Sequence, residues 1–431
     1  MKLNMFTRIN IVTALMALAL LTNPDVLRAQ NSRGCAWPIE VSPEGFGNLL
    51  APDDLARYWI IPFDTYDTMT IKGAYPKARY FSFTVYDTYS NKATKDAAGN
   101  LYDAQIAPDP GSNNPFVQPG ARNGTYTVTI ARNVASQGNT IGFSTAFAWV
   151  ALRLYVADSD PTESGQALMG SVPLPSIAVT TNGTSQELQP CSPINKLPDL
   201  TAFTQDAFPT GFDIQGTEGT PSSDRLWFAA PTTPPPVLMP NPNNKYMVMF
   251  PGDQYQPGRV IVIRGKAPGF PGTFGGWPIW VPSWDSRTVD VRYWSVCNTD
   301  LALPVSDVGC ASDLSTRLDD GYYTIVISDD LLRPAWVKDD ATWLRWGDEQ
   351  YPKLVFFRNM LPSPNFHYAI QNAIAPPYSC TFDFDFPTLP ERGVVDTKGQ
   401  CAQQVMKDYY PVAAWCDKST YIAGGARACL E

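Results

Sequence analysis

Short runs of β-branched and aromatic residues, separated by Gly, Pro, Asn and Asp, dominate the chain beyond residue 60. That is the pattern of strands joined by turns. Gly124-Thr-Tyr-Thr-Val-Thr-Ile130 alternates with period two, as does much of Trp149-Val-Ala-Leu-Arg-Leu-Tyr155. In Arg79-Tyr-Phe-Ser-Phe-Thr-Val-Tyr-Asp87 the alternation separates an apolar face, Phe81, Phe83 and Val85, from a mixed face, Tyr80, Ser82 and Thr84. One apolar and one mixed face predict antiparallel sheets packed as a sandwich.

This strand returns as Arg292-Tyr-Trp-Ser-Val-Cys-Asn-Thr-Asp300, and its neighbours return in the same order. Met69-Thr-Ile-Lys-Gly73 is echoed by Ile261-Val-Ile-Arg-Gly265, Gly124–Ile130 by Gly321–Ile327, and Ala151–Tyr155 more loosely by Leu354–Arg358. A repeated order of strands predicts a duplicated domain. The expected fold is all-β: two tandem jelly-roll-like antiparallel β-sandwich domains with a short disulfide-bonded C-terminal tail. The sandwiches are expected at 30–190 and 245–375, with a proline-rich connector at 191–244 and the cysteine-bearing tail at 376–431. Asp53 is placed to cap a short helix through Leu55 and Tyr58. A second helix is expected over Asp224 to Ala229, and a third in the tail, where Ala402, Val405, Met406 and Tyr409 fall at helical spacing.

The first 29 residues read as an export signal: Lys2 and Arg8, an apolar run from Ile11 to Leu21, and Leu27-Arg28-Ala29 before Gln30. The expected location is secreted or periplasmic. Removing that segment takes three of 32 basic residues and one of 41 acidic ones, so the charge moves from -9 to -11 (29 minus 40). An acidic surface disfavours nucleic acid, and no apolar run is long enough to span a bilayer. Eight cysteines, Cys35, Cys191, Cys297, Cys310, Cys380, Cys401, Cys416 and Cys429, all follow the signal. In an exported chain they predict up to four disulfides. Nearest-neighbour pairing gives Cys297–Cys310, Cys380–Cys401 and Cys416–Cys429, leaving Cys35–Cys191. With a single histidine and no Cys-x-x-Cys, zinc, haem and iron–sulfur sites are not expected.

Candidate chemistry lies where the copies differ. Pro76 and Arg79 are three apart, whereas Pro268 and Arg292 are 24 apart, an insertion of 21. It carries Trp277, Trp280, Trp284, Asp285 and Arg287, and with Arg292 these could stack on and orient a planar ligand or bury themselves as a satellite core. Asp87 with Asp300, and Asp64 with Asp253, read either as acid–base or calcium-binding carboxylates or as turn residues kept by the repeat. Calcium is the sole cofactor these residues suggest. Arg79 and Arg292 read either as an anion clamp or as surface arginines paired across strands, and His367 either as a lone general base or as structural.

The order Phe81–Asp87, Gly124–Ile130, Leu152–Tyr155 and Gly170-Ser-Val-Pro-Leu-Pro-Ser-Ile177 resembles bacterial exported β-sandwich proteins of the domain-of-unknown-function 1254 and 1214 type. The resemblance implies a jelly-roll-like fold and carries no activity. The functional expectation is an exported binding protein for a glycan or small partly apolar molecule, using the tryptophan-rich insertion. The alternatives are a hydrolase or lyase acting on polysaccharide through Asp, Tyr and Arg residues, and a structural cell-surface protein. A cleft between the two sandwiches would be the first place to look for a ligand.

Overall fold

The computed structural model describes residues 34–42, 53–86, 99–118, 124–157, 169–191, 195–196, 224–231, 239–251, 256–271, 289–300, 306–351, 353–382 and 399–431. The repeat folds as two sandwiches. Eight strands of the first are β1 (Ala56–Phe63), β2 (Thr68–Ala74), β3 (Ala78–Tyr86), β4 (Gly99–Tyr102), β5 (Thr125–Arg132), β6 (Thr140–Phe143), β7 (Ala148–Ala157) and β8 (Ser176–Thr181). Their counterparts are β9 (Asn244–Met249), β10 (Arg259–Lys266), β11 (Val291–Asp300), β12 (Ser306–Ser312), β13 (Tyr322–Ser328), β14 (Thr342–Arg345), β15 (Lys353–Pro362) and β16 (Val412–Asp417). Strands β1-β7-β3-β4 form one sheet and β8-β2-β5-β6 the other; β9-β15-β11-β12 and β16-β10-β13-β14 repeat both orders. Even the parallel pairing of β5 with β6 recurs, between β13 and β14.

The apolar faces close two hydrocarbon cores. Phe81, Phe83 and Val85 of β3 meet Ile71, Val128 and Ile130, whereas Trp294 and Val296 of β11 meet Ile261, Ile263 and Ile325. The repeated glycine has a packing reason. A Cβ on Gly73 would lie 2.7 Å from the Tyr126 hydroxyl, and one on Gly265 would lie 2.6 Å from that of Tyr323. In each copy a tyrosine on the neighbouring strand lies across the bare glycine.

The mixed faces do not reach solvent. Every residue of β3 and β11 is buried, because the sheets carrying them pack against each other. Tyr58, Tyr80, Tyr86, Trp149 and Tyr155 of the first copy cluster there with Met239, Tyr293 and Met360. The described residues of the two sandwiches thus enclose two apolar cores and a central layer, polar and aromatic, and a smaller buried cluster around Val262 and Tyr421 lies outside these.

All four disulfides form in the expected pairs, and no cysteine is free. Cys297–Cys310 joins facing residues of β11 and β12. Among the described residues no helix is long and apolar enough to cross a membrane.

Three local expectations are corrected. Asp53 caps no helix; its carboxylate accepts from Leu55 N at 3.1 Å in a tight turn, and strand β1 starts at Ala56. Residues 224–229 are not helical either. Arg225–Leu226 is a strand paired with Ala413 and Ala414, so tertiary pairing overrides local propensity there. The tail does contain the helix Gln400–Met406, with Ala402 and Met406 buried. It is more than an appendage, however. Its β16 lies beside β10 as β8 lies beside β2, which extends the second sandwich to residue 417. Cys416–Cys429 then ties this strand to the terminal helical segment Lys418–Leu430.

Candidate functional site

The central layer is built by reciprocal contacts. Arg79, opening β3, pairs with Asp313 just after β12. Arg292, the counterpart of Arg79, pairs with Asp103 just after β4, at 3.1 and 3.0 Å to its two oxygens. Arg292 also donates to the Arg79 carbonyl at 2.9 Å. All four side chains are fully buried, so neither arginine is on the surface as the sequence suggested. Each copy supplies an arginine to the other's aspartate, which is the contact pattern of a two-fold interface within a single chain.

A second pair of equivalent positions lies deeper in the layer. Asp53 and Asn241 each stand five residues before a tyrosine, Tyr58 or Tyr246, that faces an arginine across the sheet, Arg153 or Arg358. Both turns are built alike. The side-chain oxygen accepts from the N–H two residues on, at 3.1 Å in each case. The carbonyl accepts from the N–H three residues on, at 2.8 Å for Asp53 and 3.0 Å for Asn241. Each side chain also receives a tyrosine from the opposite copy: Tyr293 OH donates to Asp53 at 2.6 Å and Tyr80 OH to Asn241 at 3.1 Å.

The remaining atom differs. The second oxygen of Asp53 accepts from Ser295 Oγ at 2.5 Å and from Arg358 Nη1 at 2.7 Å. That is a charge-assisted, buried ion pair. Around Asn241, whose oxygen is fixed by the Asn243 N–H, the matching atom is the donor Nδ2. It has no partner, and neither have Ser82 Oγ and Arg153 Nη1, the counterparts of Ser295 and Arg358. Arg153 is held by a 2.6 Å bond from Nη2 to the Met239 carbonyl and by the rings of Tyr58 and Tyr86, 5.0 and 5.4 Å from its guanidinium carbon. Burial raises the pKa of Tyr58, Tyr86 and Tyr155 and pushes Tyr80 up to about 12. These tyrosines are therefore un-ionised at neutral pH. They offer Arg153 ring faces and dipoles but no negative charge.

A third cluster sits at the same junction. Asp54 accepts from Cys310 N at 2.7 Å and comes close to Asp307 across the two copies. The grouping of these carboxylates with Cys310 is a poor cation site, because that sulfur is in a disulfide. Burial, then the Asp54 charge, lifts Asp307 well above the usual carboxylate range, and burial lifts Asp313 to about 6. Among the described residues, every aspartate with a resolved shift moves upward. The sign follows from linkage. A carboxyl whose folded pKa exceeds its unfolded value stabilises the fold below the unfolded pKa and loses that contribution as pH rises through the folded one. Urea midpoints are therefore expected to fall between about pH 4 and pH 7, with the Asp313 part lost near 6. Asp307→Asn should flatten the profile and raise the midpoint at pH 7. A midpoint that climbs steadily over this range would contradict the assignment.

Of the residues singled out in the sequence, Arg292 belongs to this layer. Trp277, Trp280, Trp284, Asp285 and Arg287 lie outside the described residues, as do Asp87 and Asp253. The insertion that carries the tryptophans is rooted at the junction. Gly269 and Asp290 bond each other through N–H groups at 2.8 Å, and the Phe270 ring lies 5.1 Å from the Arg79 guanidinium carbon. Asp300 is half of a buried pair with Lys353 at 2.8 Å, and Asp64 serves its own turn by accepting from Thr65 N. His367 is exposed. Sequence reading missed Asp53, Asn241, Arg153 and Arg358 as a set. Their signal was an arginine repeated on the last inner strand, hidden because the echo of Ala151–Tyr155 by Leu354–Arg358 is two residues out of register: Arg358 matches Arg153, not Tyr155.

No protein-family model matches the chain, and no curated protein does. Among solved structures, an uncharacterised protein from Burkholderia cenocepacia is similar over 82% of this chain and 84% of its own, at 14% identity and a TM-score of 0.45. The VPA0106 protein from Vibrio parahaemolyticus is similar over 85% of this chain and 94% of its own, at 12% identity and a TM-score of 0.40. Likeness at this level assigns no function.

Proposed function

We propose that the protein is exported and binds a small, partly apolar molecule at the layer between its two sandwiches, using tryptophans of the insertion between Pro268 and Arg292. The carrying observation is that the Asp53 carboxylate is fully partnered, whereas on the other side the equivalent Ser82, Asn241 and Arg153 have unpartnered donors. Buried polar groups are normally paired, and a buried polar-aromatic surface between two domains is a favoured setting for a ligand. Export is supported by the signal-like first 29 residues and by four disulfides. Within the same proposal the first sandwich is a relative of the 1254/1214 type.

Intrinsic fluorescence titrated with a panel of glycans and small molecules tests this reading. A saturable change is expected for at least one compound class. Trp280→Ala or Trp284→Ala should weaken it about tenfold if the rings stack on the ligand. Flat titrations across the panel would reject a binding role.

A further inference from the structure

We propose that the Arg153 side of the central layer binds the carboxylate of a small organic acid, whose aromatic or apolar body lies among Tyr58, Tyr86 and Trp149. The inference rests on the small-molecule reading above and names its ligand class. The molecule itself supplies the template. On the other side of the pseudo-two-fold axis the same three groups, a tyrosine hydroxyl, a serine hydroxyl and an arginine Nη1, converge on the Asp53 carboxylate. Here the side chain in that position is Asn241, an amide. Its oxygen takes the tyrosine, but its Nδ2 stands where Asp53 has its second oxygen. Three donors thus have no acceptor: Asn241 Nδ2, Ser82 Oγ and Arg153 Nη1. A guanidinium, an amide N–H and a hydroxyl with no charged acceptor among them are complementary to an anion.

Charge leads to the same conclusion. Arg153 is 1% exposed, and a guanidinium cannot shed its proton at any ordinary pH. A buried cation without a counter-charge is costly. Its acceptors are a carbonyl and neutral tyrosines, none of which cancels a formal charge. A carboxylate at Nη1 would do so without disturbing the bond from Nη2 to Met239. The apolar body follows from the neighbours. The rings of Tyr58 and Tyr86 flank the Arg153 guanidinium, and Trp149 and Ala151 belong to the same buried cluster as those rings.

Thermal unfolding of the full-length mature protein tests this, at pH 7.5 and constant ionic strength, with sodium acetate and sodium benzoate against sodium chloride and neutral benzamide. The wild type is expected to show a saturable rise in Tm with the carboxylates, larger for benzoate, and none with chloride or benzamide. Asn241→Asp builds the missing carboxylate into the chain. It should raise Tm in chloride and weaken the benzoate response at least about tenfold. Arg153→Met, which removes the charge at similar volume, should also lose the response while remaining folded, so one misfolded variant does not decide the matter. An equal response to chloride, or an undiminished response in both variants, overturns the carboxylate assignment. Stabilisation by benzamide or a glycan but by no acid overturns it too, while leaving the binding role intact. Silence toward every compound rejects both.

Discussion

Asparagine in place of Asp53 is expected to lower the stability of the fold by about 3–5 kcal/mol, the range for breaking one partner out of a buried ion pair. Asp53 is fully buried and meets Leu55, Tyr293, Ser295 and Arg358 through its two oxygens. The amide keeps one oxygen for Leu55 and Tyr293. It turns the other atom into a donor aimed at Ser295 and at Arg358, which sits 2% exposed and loses its bonded carboxylate. Most of the loss is this broken ion pair and not the neutral hydrogen bonds. Arg358→Met in the same chain should therefore recover much of it, and a double-mutant cycle in urea would read a large coupling. A single-variant loss below about 1 kcal/mol, the value of an ordinary net hydrogen bond, would mean that the layer takes up water freely and is not the sealed electrostatic unit described above.

The second large effect is expected at Cys35–Cys191. These residues are 156 apart in sequence, so their bond closes the longest loop of the four. The chain-entropy relation gives about 5 kcal/mol for a loop of that length, against about 3 kcal/mol for the 13-residue separation of Cys416–Cys429. Cys35–Ala36 runs parallel to Gln189–Pro190 at the edge of the first sandwich, beside Trp37, which is buried in its core. Serine at both positions should release this edge and lower the urea midpoint more than serine at Cys416 and Cys429 does. Equal losses for the two pairs would show that native contacts, and not loop closure, set the stabilisation.

The duplicated strand order was readable because β-sandwich strands are short and their turns carry Gly, Pro and Asn in fixed places. Nearest-neighbour cysteine pairing succeeded because three of the pairs close hairpins or small loops. The tail strand was illegible for a physical reason. Val412-Ala-Ala-Trp-Cys-Asp has few β-branched residues, and it is a strand because β10 and Arg225–Leu226 lie on either side of it. The central layer was half legible. Tyr80 and Ser82 were visible as a mixed face, but alternation cannot distinguish a face turned to water from one turned to a second copy of itself. The difference between Asp53 and Asn241 carried no signal until the turns around them were seen to match bond for bond.

The crossed pairs, Arg79 with Asp313 and Arg292 with Asp103, are the contacts that two identical subunits would make about a dyad. In a homodimer any substitution appears on both sides of that dyad, so an aspartate facing one arginine would face the other as well. Joining the two halves in one polypeptide removes this constraint. One side of the interface can keep its internal carboxylate as a permanent clamp while the other gives it up. Aspartate at 53 and asparagine at 241 is a combination that no homodimer can encode, and fusion is what lets the two sides of one interface carry different side chains.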